Sequence, residues 1–203
     1  MRSPEVVIHR VNRRAQLRGI PKLFGVEVDL RSQGSQVVLN HEPFAGGERF
    51  ADWLDEYTHG LLVLNIKEAG IEGEVIRLTE ERGVARFFLL DVEFPYIYQV
   101  SRIREHRIAM RYSEDEAIQT VENYRGKVDW VWIDTMTRLP LDAETAVRLS
   151  GFQTCLVCPG RWGRPQDIPI YRRRLAELQF TPDAVMTSLG HASEWTLCLD
   201  PGS

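Results

Sequence analysis

The sequence predicts an α/β protein, a single small (β/α)8 (TIM) barrel, on three observations. Eight short β-rich runs alternate with longer amphipathic segments, most of those runs are apolar on both faces in their first half, and most then end in polar residues. Such alternation specifies a parallel sheet joined by right-handed crossovers. An open doubly wound sheet would satisfy the same rhythm, but the strand count favours the closed barrel.

The elements follow in order. The first strand is VVIHR (6–10), and the segment after it leaves room only for a shortened helix. The second strand is GVEVDL (25–30), and SQGSQVVLNHEPF (32–44) then reads as an extra turn and strand inserted before the next helix. That helix spans 47–59, with Phe50, Leu54 and Tyr57 at helical spacing. GLLVLNIK (60–67) is a strand, and 71–83 a helix carrying Ile71, Val75 and Leu78 that stops at Gly83. RFFLLDVE (86–93) precedes a helix over 96–106, and RIAMRY (107–112) one over 113–126. Ser113, followed by Glu114, Asp115 and Glu116, suits a helix N-terminus, and Asp142 with Glu144 looks similar. VDWVWID (128–134), a helix over 142–153, TCLVCP (154–159), a helix over 167–180 and DAVMTS (183–188) complete the series. The tail after Ser188 shows no eighth helix, so the last one is expected to be missing.

Composition narrows the class. The chain has 203 residues, 43% hydrophobic and 27% charged, with a net charge of −4, which fits one globular domain over 1–203. A slightly acidic chain lacks the electrostatic footprint of a nucleic-acid binder. No apolar run approaches the roughly 18 residues of a membrane span, and MRSPEVVIHR lacks the apolar core of a signal peptide. Cys155, Cys158 and Cys198 cannot all pair with one another, which points to a reducing, cytoplasmic setting. Only Lys22, Lys67 and Lys127 are lysines, and Lys67 is notable for ending an apolar strand.

The chemistry lies where the strands turn polar. His9 and Arg10 close the first, Glu27 and Asp29 the second, Asn65 and Lys67 the third, and Asp91 and Glu93 the fourth. Arg111 ends the fifth, Asp134 the sixth, and Thr187 and Ser188 the eighth. In a (β/α)8 barrel these ends converge on one face. Residues i and i+2 of a strand point the same way, so Glu27 and Asp29 present two carboxylates to one point. Polar strand ends also arise simply where strands emerge into solvent. Here, however, His9, Glu27, Asp29 and Lys67 lie within or directly after Val, Leu and Ile runs, where unpaired charges would be costly. A shared site relieves that cost. Carboxylates with an amide oxygen suit Mg²⁺ or Ca²⁺, and His9 and His41 can pass a proton near neutral pH. Arg10, Lys67 and Arg111 can hold a phosphoryl group. Together these groups describe phosphodiester cleavage.

Taken in order, these motifs resemble the glycerophosphodiester phosphodiesterases, within the wider group of phosphatidylinositol phospholipase C-like barrels. His9-Arg10 is similar to that family's opening His-Arg, and Glu27-Val28-Asp29 to its Glu-x-Asp metal motif. Val37-Val38-Leu39-Asn40-His41 resembles the short strand with the second catalytic histidine, Asn65-Ile66-Lys67 the Glu-x-Lys strand, and Thr187 the threonine ending the last strand. The resemblance implies that Glu27 and Asp29 hold a divalent cation, that His9 and His41 are general base and acid in unassigned order, and that Arg10 and Lys67 neutralise phosphate. The implied activity is hydrolysis of a small phosphodiester: a glycerophosphodiester, or a nucleotide-activated or polysaccharide-linked relative.

The sequence departs from the family pattern in three places. Val11 replaces the glycine after His-Arg, the Pro-Glu-Asn-Thr stretch is absent, and Asn65 stands where the family has its third metal carboxylate. An amide brings an oxygen but no charge, so Asp91 or Glu93 from the next strand would have to compensate. The strings His9-Arg10-Val11-Asn12 and Leu64-Asn65-Ile66-Lys67 also resemble barrels encoded among surface-polysaccharide genes, a likeness that implies no activity. The alternative is a catalytically silent barrel that binds a phosphorylated sugar or a partner protein. A metal-dependent sugar-phosphate isomerase or lyase would use the same scaffold.

Remaining features read as structure. Cys155 and Cys158, at i and i+3 on a strand, face opposite sides and suit neither a redox nor a zinc site. Trp130 and Trp132 share one face and pack in the core, while Trp162, beside Arg161 and Arg164, would rim a pocket. Arg172-Arg173-Arg174 reads as a solvated helix face. At about 25 residues per βα unit the chain sits near the roughly 200-residue floor for this barrel. An open pocket follows, with selectivity left to a partner, a homodimer or a large substrate.

Overall fold

The computed structural model describes residues 3–103 and 105–196; Cys198 lies outside them. Its strands are β1 (Glu5–Ile8), β2 (Gly25–Gln33), β3 (Gln36–Leu39), β4 (Glu48–Arg49), β5 (Leu62–Ile66), β6 (Phe87–Leu90), β7 (Ala109–Tyr112), β8 (Trp130–Ile133), β9 (Gln153–Val157) and β10 (Ala184–Thr187). Leaving out β3 and β4, neighbouring strands are parallel around a ring. β1 pairs with β2 (Val7 opposite Gly25), β2 with β5 (Asp29 opposite Asn65), and β5 with β6 (Leu64 opposite Leu89). β7, β8, β9 and β10 follow in turn, and β10 returns to β1 with Thr187 opposite Ile8. Between β6 and β7 the link is a parallel bridge, Leu89 to Ile108, with the Leu89 N–H donating to Arg107 O at 2.8 Å. All the barrel strands expected from the sequence are present.

Strand alternation sorts the apolar side chains into two cores. One fills the barrel: Val7, Leu61, Val63, Phe88, Leu90, Ala109, Trp130, Trp132, Cys155, Val157, Ala184 and Met186. The other lies between the strands' outer faces and the helices, and holds Val26, Val28, Leu62, Leu64, Val131, Ile133, Leu156 and Cys158 among others. Cys155 and Cys158 thus fall on opposite sides of β9, buried and unpaired, as their spacing predicts. Gly25 permits a close strand approach, since a Cβ there would lie 2.3 Å from Leu61 O.

The helices are short: α1 (Arg14–Leu17), α2 (Phe50–Leu54), α3 (Glu72–Glu81), α4 (Phe94–Val100), α5 (Ile118–Glu122), α6 (Ala143–Arg148), α7 (Ile168–Glu177) and α8 (Ala192–Thr196). Asp142 caps α6 in a reciprocal box with Thr145, with bonds of 2.8 Å in each direction. Ser113 behaves otherwise. Its hydroxyl accepts from Asp115 N at 3.3 Å in a turn, and α5 begins only at Ile118. An eighth helix does exist, contrary to expectation. After a 3-10 turn at Leu189–His191, α8 carries the fully buried Trp195, whose indole N–H lies 3.4 Å from Cys158 Sγ. Among the described residues no helix is long and apolar enough to cross a membrane.

The predicted insertion is β3 with β4. β2 runs on past the barrel and folds back through Gly34 (φ 62°), pairing Leu30 with Leu39 and Gln33 with Gln36. β4 then pairs with β3, Val38 opposite Arg49. This sheet extension carries His41 over the barrel mouth.

Candidate active site

Along several strands the inward-facing series begins apolar and ends polar: Val7–His9, Val63–Asn65–Lys67, Ala109–Arg111 and Trp132–Asp134, while β2 turns Glu27 and Asp29 inward. Below them Phe88 stacks on Trp130, ring centroids 4.5 Å apart, and floors the barrel. Above lies a cavity of about 160 Å³ lined by these polar ends together with Arg10, His41, Asp91, Arg161 and Trp162.

Glu27 and Asp29 are buried, at 1% and 0% exposure. Glu27 accepts from the Arg10 backbone N–H at 2.7 Å and from Asn65 Nδ2 at 2.8 Å. Arg10 adopts a left-handed backbone (φ 56°). Asn12 clamps Asp29 twice: its Nδ2 donates to Asp29 Oδ2 at 2.8 Å, and its Oδ1 accepts the Asp29 N–H at 2.9 Å. Asp29 Oδ1 and Asn65 Oδ1, on register-paired residues of β2 and β5, are buried and have no hydrogen-bond donor. Burial, then the neighbouring Asp29, pushes the Glu27 carboxyl up to about 7.

The cations form a chain across four strands. Lys67 Nζ lies 3.1 Å from Asp91 Oδ2 and 3.6 Å from Asp29 Oδ1. Arg111 donates at 2.7 Å to Asp91 Oδ1 and at 2.7 Å to Asp134 Oδ2. Asp134 Oδ1 in turn accepts the Trp162 indole N–H at 3.0 Å. Arg10 Nε is 3.7 Å from Asp29 Oδ2. Lys67 thus sits between two carboxylates, and Arg111 among three, with Glu116 Oε1 3.5 Å from its Nε.

The histidines differ. Burial, followed by the charges of Arg161, Arg10 and Lys67, pulls His9 down to about 3. It is therefore neutral, and its 3.8 Å approach to Glu27 Oε2 is not an ion pair. His41 stands at the rim, its Nδ1 2.7 Å from Glu42 Oε1.

Of the residues singled out in the sequence, His9, His41, Arg10, Lys67, Arg111, Glu27, Asp29 and Asn65 all line the cavity. Glu93 does not. Asp91 turns left-handed (φ 56°), β6 ends at Leu90, and Glu93 becomes the exposed residue before α4, so the i, i+2 relation with Asp91 is broken. Trp162 rims the pocket as expected. Asn12 escaped the sequence reading because its role lies in a contact between loop and strand, which no spacing announces. Asp134 and Arg111 were both visible as strand ends, but the ion pair between them was not. Among the described residues no three or more His, Cys, Asp or Glu side chains are grouped to hold a metal, so a third donor would be the Asn65 amide oxygen.

No protein-family model and no curated protein sequence matches the chain. Solved structures do. A glycerophosphodiester phosphodiesterase from Agrobacterium tumefaciens str. C58 aligns with a TM-score of 0.66 at 14% identity, over 96% of this chain and 100% of that one. A glycerophosphoryl diester phosphodiesterase from Parabacteroides distasonis ATCC 8503 aligns with a TM-score of 0.66 at 12% identity, over 100% of this chain and 89% of that one. The likeness is one of fold: the chain shares their (β/α)8 barrel architecture.

Proposed function

We propose that this barrel is a divalent-metal-dependent phosphodiesterase that hydrolyses a small phosphodiester such as a glycerophosphodiester. One observation carries the reading: buried acceptor oxygens without donors, Asp29 Oδ1 and Asn65 Oδ1, share one cavity with a neutral His9 and the Lys67 ammonium. Oxygens of this kind suit Mg²⁺ or Ca²⁺, with Glu27 as the third donor. When bound, the cation would polarise the phosphoryl group and offset its charge. Arg10 and Lys67 neutralise the phosphate oxygens. His9, neutral at working pH, takes a proton from the attacking water. The water oxygen bonds to phosphorus, the bond to the leaving oxygen breaks, and His41, oriented by Glu42, protonates that oxygen. The products are a phosphomonoester and an alcohol. The buried free thiols of Cys155 and Cys158 accord with a cytoplasmic location.

The test is turnover of bis(4-nitrophenyl) phosphate and of glycerophosphodiesters in Mg²⁺, Ca²⁺ and EDTA. Activity is expected with a metal and not with EDTA. His9→Ala and Glu27→Ala are each expected to lower kcat by about 100-fold or more. Turnover indifferent to both substitutions would sink the assignment. A second reading, binding without turnover, draws on Asn65 in place of a carboxylate and gains if sugar phosphates bind while no diester is cleaved.

A further inference from the structure

We infer that a polar groove beside the cavity receives the leaving alcohol and selects alcohols that carry an anionic group; this rests on the phosphodiesterase reading above. The reaction cavity, about 160 Å³, falls well short of the roughly 300–1,000 Å³ of ligand pockets, so it admits a phosphoryl group and little more. The ester arms must lie outside it. A groove of about 510 Å³ adjoins the cavity and shares Arg10 and His41 with it, and its walls include Arg13, Gln16, Asn40 and Glu48. His41 protonates the leaving oxygen in the proposed reaction and stands at that boundary, so the arm beyond it is the leaving alcohol.

The groove is cationic. Its one carboxylate, Glu48, is satisfied by Arg14, which donates from Nε at 3.0 Å and from its backbone N–H at 3.1 Å. Arg13 is exposed, and no side-chain hydrogen bond or ion pair engages it among the described residues. Arg10 Nε is buried and faces Asp29 Oδ2 at 3.7 Å. Arg13 therefore keeps guanidinium donors to spare along a channel that Arg10 also lines, the arrangement that takes a phosphate or carboxylate. The opposite opening differs. It shares Asp91 and Arg111 with the cavity, but there Phe94 and Ile97 line it, Glu116 adds negative charge, and Arg111 is already paired. An anionic arm fits only the first side, and a cationic amino alcohol is disfavoured there.

Three diesters with the same glycerophosphate arm separate the cases: glycerophosphoglycerol phosphate, glycerophosphoglycerol and glycerophosphocholine. With the wild-type protein kcat/KM is expected to fall in that order, by at least tenfold between the ends. Arg13→Glu, a change at an exposed position, is expected to collapse or invert that ratio. An equal or reversed order in the wild type, or a ratio that Arg13→Glu leaves unmoved, overturns the groove while leaving phosphodiester hydrolysis intact. If no diester is cleaved, hydrolysis fails, and calorimetry with sn-glycerol 3-phosphate decides the groove. Binding weakened tenfold or more by Arg13→Glu supports it; absent or unchanged binding overturns it.

Discussion

Glu27 and His9 lie side by side, and burial moves them in opposite directions, up to about 7 and down to about 3. Each is held toward its neutral form, so their effects on stability oppose one another. Glu27, with its folded value raised, contributes stability that is fully present below its ordinary value of 4.5 and lost as pH rises through about 7. His9, with its folded value depressed, contributes stability that is present above 6.5 and lost as pH falls toward about 3. In the window where both act the two slopes offset each other. Without metal, the wild-type protein should show a shallow change in denaturation free energy between pH 6.5 and 4.5. Glu27→Gln should expose the histidine slope and lose on the order of 2 kcal/mol across it; urea melts at several pH values in EDTA measure this. Equal slopes would exclude the opposition. At this scale the site was legible wherever a charge interrupted an apolar strand, as at Glu27, Asp29 and Lys67. It was illegible where backbone conformation decided the outcome, since nothing in Asp91-Val92-Glu93 announces the left-handed turn at Asp91 that removes Glu93.

The strands were legible because a barrel strand is apolar on both faces for most of its length, and the short runs bounded by turns say so. Helix ends were less so. Asp142 and Ser113 offer similar starts, each with a candidate partner three residues on, yet only Thr145 reciprocates; the Glu116 carboxylate turns instead to Arg111 Nε at 3.5 Å. α8 spans five residues, too few for a helical period to show. It is anchored by Ala192 and above all by Trp195, fully buried in the core between strands and helices with Cys158 as its polar partner. Trp195→Ala should cost about 3–5 kcal/mol through lost burial and the cavity left behind, read as a fall in Tm. A change near zero would mean that the last helix is dispensable to the barrel.

For the molecule as a whole, ring closure is uneven. β2 and β5 are in register over Val26–Leu30, whereas β6 and β7 are joined through one bridge at Leu89 and Ile108. Opening should begin at that seam, so in hydrogen exchange the Leu89 amide is expected to lose protection before those of Val28 and Leu64. Simultaneous exchange would indicate a uniformly cooperative ring. The backbone at Arg10 carries a different consequence. Its positive φ is a conformation that glycine adopts freely, and the bond it gives Glu27 comes from its main-chain N–H. Arg10 is therefore a position where a whole side chain can be deleted while the main chain keeps its path and its bond. Arg10→Gly should lose most turnover yet regain part of it when millimolar guanidinium is supplied from solution. Arg10→Ala, which retains the unfavourable φ, should be rescued less. The strained turn makes this site open to chemical complementation, with the missing group returned as a free small molecule.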